Sequence, residues 1–480
     1  MNSRYSKILL TFGLLFPFSA YSADKEIVLD NADSVEMEIS IYNNSLGFVR
    51  DTREAGLEAG YNSVAFAGVA SQIKPETVMV EAPGAEIVEQ NYNYNLLTPV
   101  NIVNESVGQT VKTAVYNEAT GQTVFDSAKI IDSNYGNPVL QFSYGIETHF
   151  PGRLIFDKLP ENLVSKPTLE VRLNNKDAGR KKIELAYLTN GISWKADYVA
   201  EIKSAGVLDL NGWITLSNDS GADYKNASVQ LIAGNVNQVS EAAPVRPLML
   251  ARAMKANAES ASMDAAGGAY PANEAFADYY LYTLPVKTTI KNQQSKQVSL
   301  FVRNGVRFEK EYRMISPLYV GINVSENEFQ KQNPQVVFKL DNAAASGLGL
   351  PMPQGVIRFY EKDSGSNLQF IGESSIPQLA DGEKADLMLG KAFDIFAKGR
   401  VLNVNTVSKD IFEADVEVAF NNAKTEEAVV NFEQNFNNNW EILSESQKSE
   451  RKNANTAKWQ LKLPAKGALS LTYKVRITRK

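Results

Sequence analysis

Between Lys182 and Asn237 apolar residues recur at every second position, the period that points alternate side chains to opposite faces of a pleated strand. Ile183, Leu185 and Tyr187 form one face of a first strand. In a second, Trp194, Ala196, Tyr198, Ala200 and Ile202 alternate with Lys195, Asp197, Glu201 and Lys203, with Val199 as the exception. Leu208, Leu210, Ile214 and Leu216 mark a third, and Val229, Leu231 and Ala233 a fourth. Asn190-Gly191, Ser204 to Gly206 and Asp219-Ser220-Gly221 separate them with residues that accept a positive φ. Short strands with such turns at intervals of roughly 8–12 residues predict an antiparallel sandwich with one buried face. Gly212, beside Trp213, predicts a bulge or a close backbone approach within the third strand.

The same alternation runs through most of the chain, which reads as all-β: several antiparallel immunoglobulin-like sandwiches with a small inserted β-barrel. Residues 23–98 supply N-terminal sandwich strands, among them EMEISIYN with Met37, Ile39 and Ile41 on one face. NYNYN, Asn91 to Asn95, opens a different texture, and over residues 99–159 shorter strands and closer turns suit the inserted barrel. Residues 160–240 and 278–381 form the central sandwich, with Pro160 to Leu173 returning to the first sandwich or linking onward. Residues 241–277, rich in Ala, Met, Pro and Gly and poor in strand formers, are expected to be a disordered loop with room for a brief helix over 248–262. Residues 382–480 make a C-terminal immunoglobulin-like sandwich. There Asp415 to Phe436 repeats the strand, Asn-opened turn and strand of Trp213 to Gly234, as two copies of one hairpin would. The last strand sets Leu469, Leu471, Tyr473, Val475 and Ile477 against Ser470, Thr472, Lys474 and Arg476, so that a one-residue slip would bury its charges.

Several segments carry a family likeness. YLTNGISWKADY (Tyr187 to Tyr198), LDLNGWITLSNDSG (Leu208 to Gly221) and VQLIAGNVN (Val229 to Asn237) are succeeded by DYYLYTLP (Asp278 to Pro285) and LPMPQGVIRFYEKDSGSNLQFIGE (Leu350 to Glu373). GKAFDI (Gly390 to Ile395) and LPAKGALSLTYKVRI (Leu463 to Ile477) complete the series. In order and spacing these resemble the bacterial family called domain of unknown function 4139, which includes mucoidy-inhibitor-like proteins. The resemblance implies a β-rich, exported protein of unassigned activity, and it brings no catalytic residues with it. Some relatives insert a long coiled coil after the N-terminal strands; the corresponding position here lacks heptads.

The compartment is read from Met1 to Ser22, residues 1–22. Arg4 and Lys7 precede an apolar run from Ile8 to Phe18, and Ala20-Tyr21-Ser22 has the small residues of a cleavage site, so a signal peptide and export to the periplasm or cell surface are expected. The run is too short for an ordinary spanning helix, and no transmembrane helix is expected after cleavage. Loss of the signal takes the formal charge from −6 to −8, which argues against nucleic acid as a partner. The chain has 0 cysteines, and a chain this long can bury a sufficient core without disulfides.

Catalytic chemistry finds little support in the residue pattern. The one histidine, His149, has no nucleophile or carboxylate at a recognisable spacing and reads as a surface residue. Zinc sites draw on His and Cys, so no metal or other cofactor is expected. Asp-Ser-Gly at Asp219 and Asp363 has the form of an aspartic-protease pair, but its flanks are those of hairpin turns. Ser71-Gln72-Ile73-Lys74 has serine–lysine spacing without the companion motifs. Trp194 shares the apolar face of its strand, whereas Trp213 points away from the face of Leu208 to Leu216 and is the candidate exposed contact, suited to an aromatic platform. The expected function is that of a non-enzymatic envelope protein that binds an unidentified envelope protein or polymer through sandwich loops and edges. An outer-membrane β-barrel and a hydrolase with an unrecognised site are the alternatives.

Overall fold

The computed structural model describes residues 26–234, 271–276, 279–321 and 328–479. The expected signal peptide and most of the expected loop over 241–277, including its brief helix, lie outside the described residues. At 66% strand and 4% helix the fold is all-β, built from several multi-stranded sheets as the alternation predicts. Among the described residues no helix is long and apolar enough to cross a membrane.

The chain divides into two compact units, the first comprising Met1–Glu38, Phe48–Thr189 and Ser220–Asp223. Its leading sheet has four strands in the order Glu26–Leu29, Gly60–Ala67, Thr168–Asn175, Ala85–Asn93. Glu26–Leu29 runs parallel to Gly60–Ala67 and the other pairings are antiparallel. Val64, Phe66, Leu169, Val171 and Leu173 are all buried, as are Ile183 and Leu185 on the strand Gly179–Asn190. A second sheet sets Gly179–Asn190 beside Leu46–Leu57, and a buried charge lies between it and the leading sheet. Arg53, on the strand Leu46–Leu57, donates to Asp51 at 2.8 Å, to the carbonyls of Leu29 and Ala67 at 2.8 and 2.9 Å, and to Asn31 Oδ1 at 3.1 Å. Asp51 also accepts from Ser34 Oγ at 2.7 Å, so both members of the buried pair have their remaining bonding capacity used.

Residues 99–159 depart from expectation in two ways. The segment opens with a helix, Pro99–Glu105, whose N-cap Thr98 accepts from Asn101 N at 3.1 Å and whose first residue is proline. In place of a closed barrel there is a five-stranded antiparallel sheet in the order Gly145–Glu147, Val139–Phe142, Gln122–Asp132, Thr110–Asn117, Arg153–Ile155. Its two edge strands are 3 residues each and are not paired with one another among the described residues, a length that cannot carry a ladder round to closure. One face packs on Val111, Ala128, Ile130, Leu140 and Phe142. Within the span 160–240 assigned to the central sandwich, Thr168–Asn175 belongs to the first unit's leading sheet, which is the return to the first sandwich that residues 160–173 left open. Period-two alternation reports which residues face inward, not which sheet a strand joins.

The second unit comprises Ile39–Gly47, Asn190–Asp219 and Tyr224–Lys480. Its main sheet runs Leu368–Ile376, Gly355–Lys362, Ile192–Ser204, Val207–Asn218, Gln294–Ile315, Ala428–Asn435, Thr456–Leu463, Glu450–Asn453. The strand Gln294–Ile315, 22 residues long, pairs with Val207–Asn218 along its first part. Its later part pairs with Gln335–Asp341 and, in parallel, with Ala428–Asn435. A single ladder partner therefore joins the central strands to the C-terminal sandwich, whose other layer is Glu328–Gln332, Ile395–Ser408, Ile411–Asn422, Gly467–Thr478 and Asn439–Glu445. Between those layers Phe420, Phe432, Trp459 and Tyr473 form a chain of ring contacts, the first edge-on and the others tilted, at centroid distances of 5.4, 5.8 and 4.9 Å. The strand Lys384–Lys391 pairs with Gln335–Asp341 and so belongs to the central strands, not to the C-terminal sandwich expected from residue 382. Ala272–Phe276 pairs with Tyr279–Thr283, so this part of the expected loop is ordered by main-chain hydrogen bonds that do not depend on strand-forming side chains.

The repeated strand–turn–strand is an arch, not a hairpin. Val207–Asn218 and Tyr224–Ala233 enter different sheets, and so do Ile411–Asn422 and Ala428–Asn435. Each arch leaves its first strand at a buried asparagine. Asn218 Nδ2 donates to Ile290 O at 3.4 Å, and Asn422 Nδ2 donates to Glu426 O, Leu463 O and Pro464 O at 2.9, 3.3 and 3.1 Å. The asparagine that opens each turn in sequence thus closes the gap between layers, where main-chain groups have left the ladder.

A second buried charge sits on the long strand. Burial alone would push the Glu311 carboxyl up, but hydrogen bonds from Arg313, Lys339 and Asn431 outweigh it and hold the group at about 2. Arg313 Nε lies 2.8 Å from Glu311 Oε1, and Arg313 Nη2 reaches Asp386 Oδ2 at 2.8 Å.

Both buried charges are open to test. Arg53→Ala leaves Asp51 buried without its partner and lowers unfolding stability by about 3–5 kcal/mol in urea titrations at pH 7, where a loss below about 1 kcal/mol contradicts the role assigned to Arg53. A carboxyl held at about 2 against an ordinary 4.5 contributes stability that is complete above pH 4.5 and is lost as the pH falls towards 2. Glu311→Gln therefore destabilises the protein at pH 7 and shrinks the further loss between pH 5 and pH 3; an unaltered pH profile of stability would count against the pairing.

Candidate functional site

Trp213 lies on the outward face of the main sheet of the second unit. On its strand Leu208, Leu210, Ile214 and Leu216 are fully buried while the indole is 38% exposed. The register shifts between Gly212 and Trp213 against Gln294–Ile315, which places the bulge beside the indole. A Cβ on Gly212 would meet the Phe301 ring at 2.9 Å, so glycine lets that ring fill the space beneath the strand. Across the sheet Ser375, Val356, Asp197, Trp213 and Ser299 form one row of directly opposed residues.

The groups around the indole are fixed by one another. Asp197, itself buried, accepts from Thr215 Oγ1 at 3.0 Å and from Arg358 Nη1 at 3.0 Å. Arg358 Nε also reaches Glu373 Oε2 at 3.1 Å, and Gln297 Nε2 donates to Thr215 Oγ1 at 3.2 Å. The hydrogen bond with Asp197 raises the Arg358 guanidinium above its already high ordinary value. The result is a sheet face with one aromatic plate inside a network of paired opposite charges. Such a surface can stack and hydrogen-bond a partner.

Trp194 lies in the core, 3% exposed, with Nε1 donating to Ile232 O at 3.3 Å and its ring edge-on to Tyr282 at 6.2 Å. His149 is exposed in the loop before Arg153–Ile155, with Thr148 Oγ1 3.4 Å from Nδ1. Ser71 Oγ donates to Ser220 O at 2.9 Å and packs so closely on Gly221 (φ +89°) that any Cβ there would overlap it. Asp363 is a turn residue: its Oδ1 accepts from the backbone N–H of Gly365 and of Asn367, both at 2.9 Å, and the Asn367 bond leads the set that holds its carboxyl below the ordinary range. Asp219 comes after Asn218, opposite Ile192, and Asp363 lies beyond Glu361, opposite Ile202. The ten residue steps between those positions on one strand span about 30 Å, too far for two carboxylates to share a proton. Among the described residues no group of three or more His, Cys, Asp or Glu is placed to hold a metal ion.

A concave site arises where the sequence shows only a change of texture. NYNYN leaves the strand Ala85–Asn93 and, with Asn101, Glu105 and Glu170, lines an open cleft of about 580 Å³ in the first unit. Tyr92 and Tyr94 stack at 5.6 Å and 28°, and Tyr92 Oη donates to Ser71 O at 3.2 Å. Burial first, then the neighbouring Tyr94, raises the Tyr92 hydroxyl above its ordinary value. Glu105 accepts from Asn95 Nδ2 at 2.8 Å and from Asn162 Nδ2 at 2.8 Å, and Glu170 accepts from Asn93 Nδ2 at 3.2 Å. The alternating Asn-Tyr run was the available signal; its carboxylate partners come from elements well separated along the chain.

No protein-family model and no curated protein matches the chain.

Proposed function

We propose that this chain is an exported, non-enzymatic envelope protein, a relative of the domain of unknown function 4139 proteins, that binds another protein or an envelope polymer from the periplasm or cell surface. The observation that carries the reading is the exposed Trp213 indole, set in the prearranged network of Asp197, Thr215, Gln297, Arg358 and Glu373. Exposed tryptophan supplies large contact area for little lost conformational freedom, and charged groups already bonded to one another lose little on contact. The Thr215 hydroxyl is itself engaged by Asp197 and Gln297, and the charged groups bond to one another, an arrangement suited to contact. The motif series from Tyr187 to Ile477 supports the family reading, and the apolar run from Ile8 to Phe18 supports export.

A photo-crosslinking amino acid placed at Trp213 in living cells is expected to give a discrete adduct that is missing when the same group replaces the exposed Lys462. Equal adducts at both positions, or none at 213, would overturn the assignment of this face.

A further inference from the structure

We propose that the Asn-Tyr cleft of the first unit binds a neutral oligosaccharide, with Tyr94 as the stacking platform. Tyr94 is 72% exposed and is held against Tyr92, so the pair offers a flat apolar surface of the kind that meets the C–H face of a pyranose ring. Around it, side-chain amides supply both donors and acceptors while Glu105 and Glu170 only accept. A ligand that satisfies such a wall must bring many donors of its own, which is what a hydroxyl-rich chain does. The polar groups are already oriented: Asn101 Nδ2 donates to Leu96 O at 2.7 Å and Asn95 N donates to Asn93 Oδ1 at 3.1 Å, in addition to the two carboxylate clamps. Little rotamer freedom is left to lose on binding.

Charge selects within the class. The lining carries two carboxylates and no lysine or arginine, on a chain of formal charge −6, so sulfated, phosphorylated and uronic-acid polymers are repelled. A protein partner would want an apolar centre, and this lining has no aliphatic side chain. At about 580 Å³ the cleft falls within the roughly 300–1,000 Å³ range of ligand sites, and its open form accepts a chain that continues beyond it. A neutral glycan in this cleft would serve the binding role proposed above through a different surface, so the two can fail separately.

The test is retention of the purified mature protein on a glycan array carrying neutral, N-acetylated, sulfated and uronic-acid oligosaccharides, with subsequent titration of the best neutral oligomer. Retention on neutral or N-acetylated chains is expected, with Tyr94→Ala weakening the titrated affinity about tenfold and Tyr94→Phe leaving it near the starting value. Because Tyr94 is largely exposed, unchanged thermal unfolding of both variants should accompany the result. No retention on any neutral chain, preference for polyanions, or full affinity in Tyr94→Ala would each overturn the inference. Crosslinking at Trp213 would then still stand or fall on its own.

Discussion

The sheets of this molecule depend on one constraint, that a strand's side chains alternate between two faces, so that most strands keep one face dry while a few, such as Ala428–Asn435, are buried on both. The long strand Gln294–Ile315 meets that constraint while serving several neighbours. Its register against Val207–Asn218 is broken at two bulges, and the pairing then passes to Gln335–Asp341 and Ala428–Asn435. The change of partner keeps main-chain groups paired along a strand too long for any single neighbour. The chain of aromatic contacts from Phe420 to Tyr473 fills the space that the C-terminal layers then enclose.

A dry interior makes polar groups within it consequential. Arg53 with Asp51 and Glu311 with Arg313 and Lys339 stand where an edge or a crossing leaves main-chain groups or charges in need of partners. Buried ion pairs are weak sources of net stability but are costly to break, so their value here is in holding layers at one position. Asn218 and Asn422 act in the same way at the two arches, with amide groups in place of charge.

Alternation made the strands themselves legible, because Trp194 to Ile202 and Leu469 to Ile477 carry their inward and outward sets on successive residues. Pairing was less legible. Whether Ile411–Asn422 and Ala428–Asn435 make a hairpin or an arch depends on what lies across the core, and the two local sequences look alike. The helix Pro99–Glu105 had its cue in Thr98-Pro99, a cap beside a proline already set to helical φ, which the surrounding strand texture masked. Trp213 could be placed on the outward face from its neighbours alone. The cleft could not, since Asn93 and Asn95 meet Glu170 and Glu105 only after the sheet and the adjoining helix have formed.

The two proposed binding surfaces rest on the same foundation, the sealing of the opposite face of their sheets. The chain has 0 cysteines, so single cysteines introduced along Ile192–Ser204 report accessibility one residue at a time. In the native protein, Lys195→Cys, Val199→Cys and Glu201→Cys should react with a polar maleimide, while Ala196→Cys and Ala200→Cys should react only after unfolding. Uniform labelling, a period near that of a helix, or protection of the charged positions in place of the alanines would contradict the account.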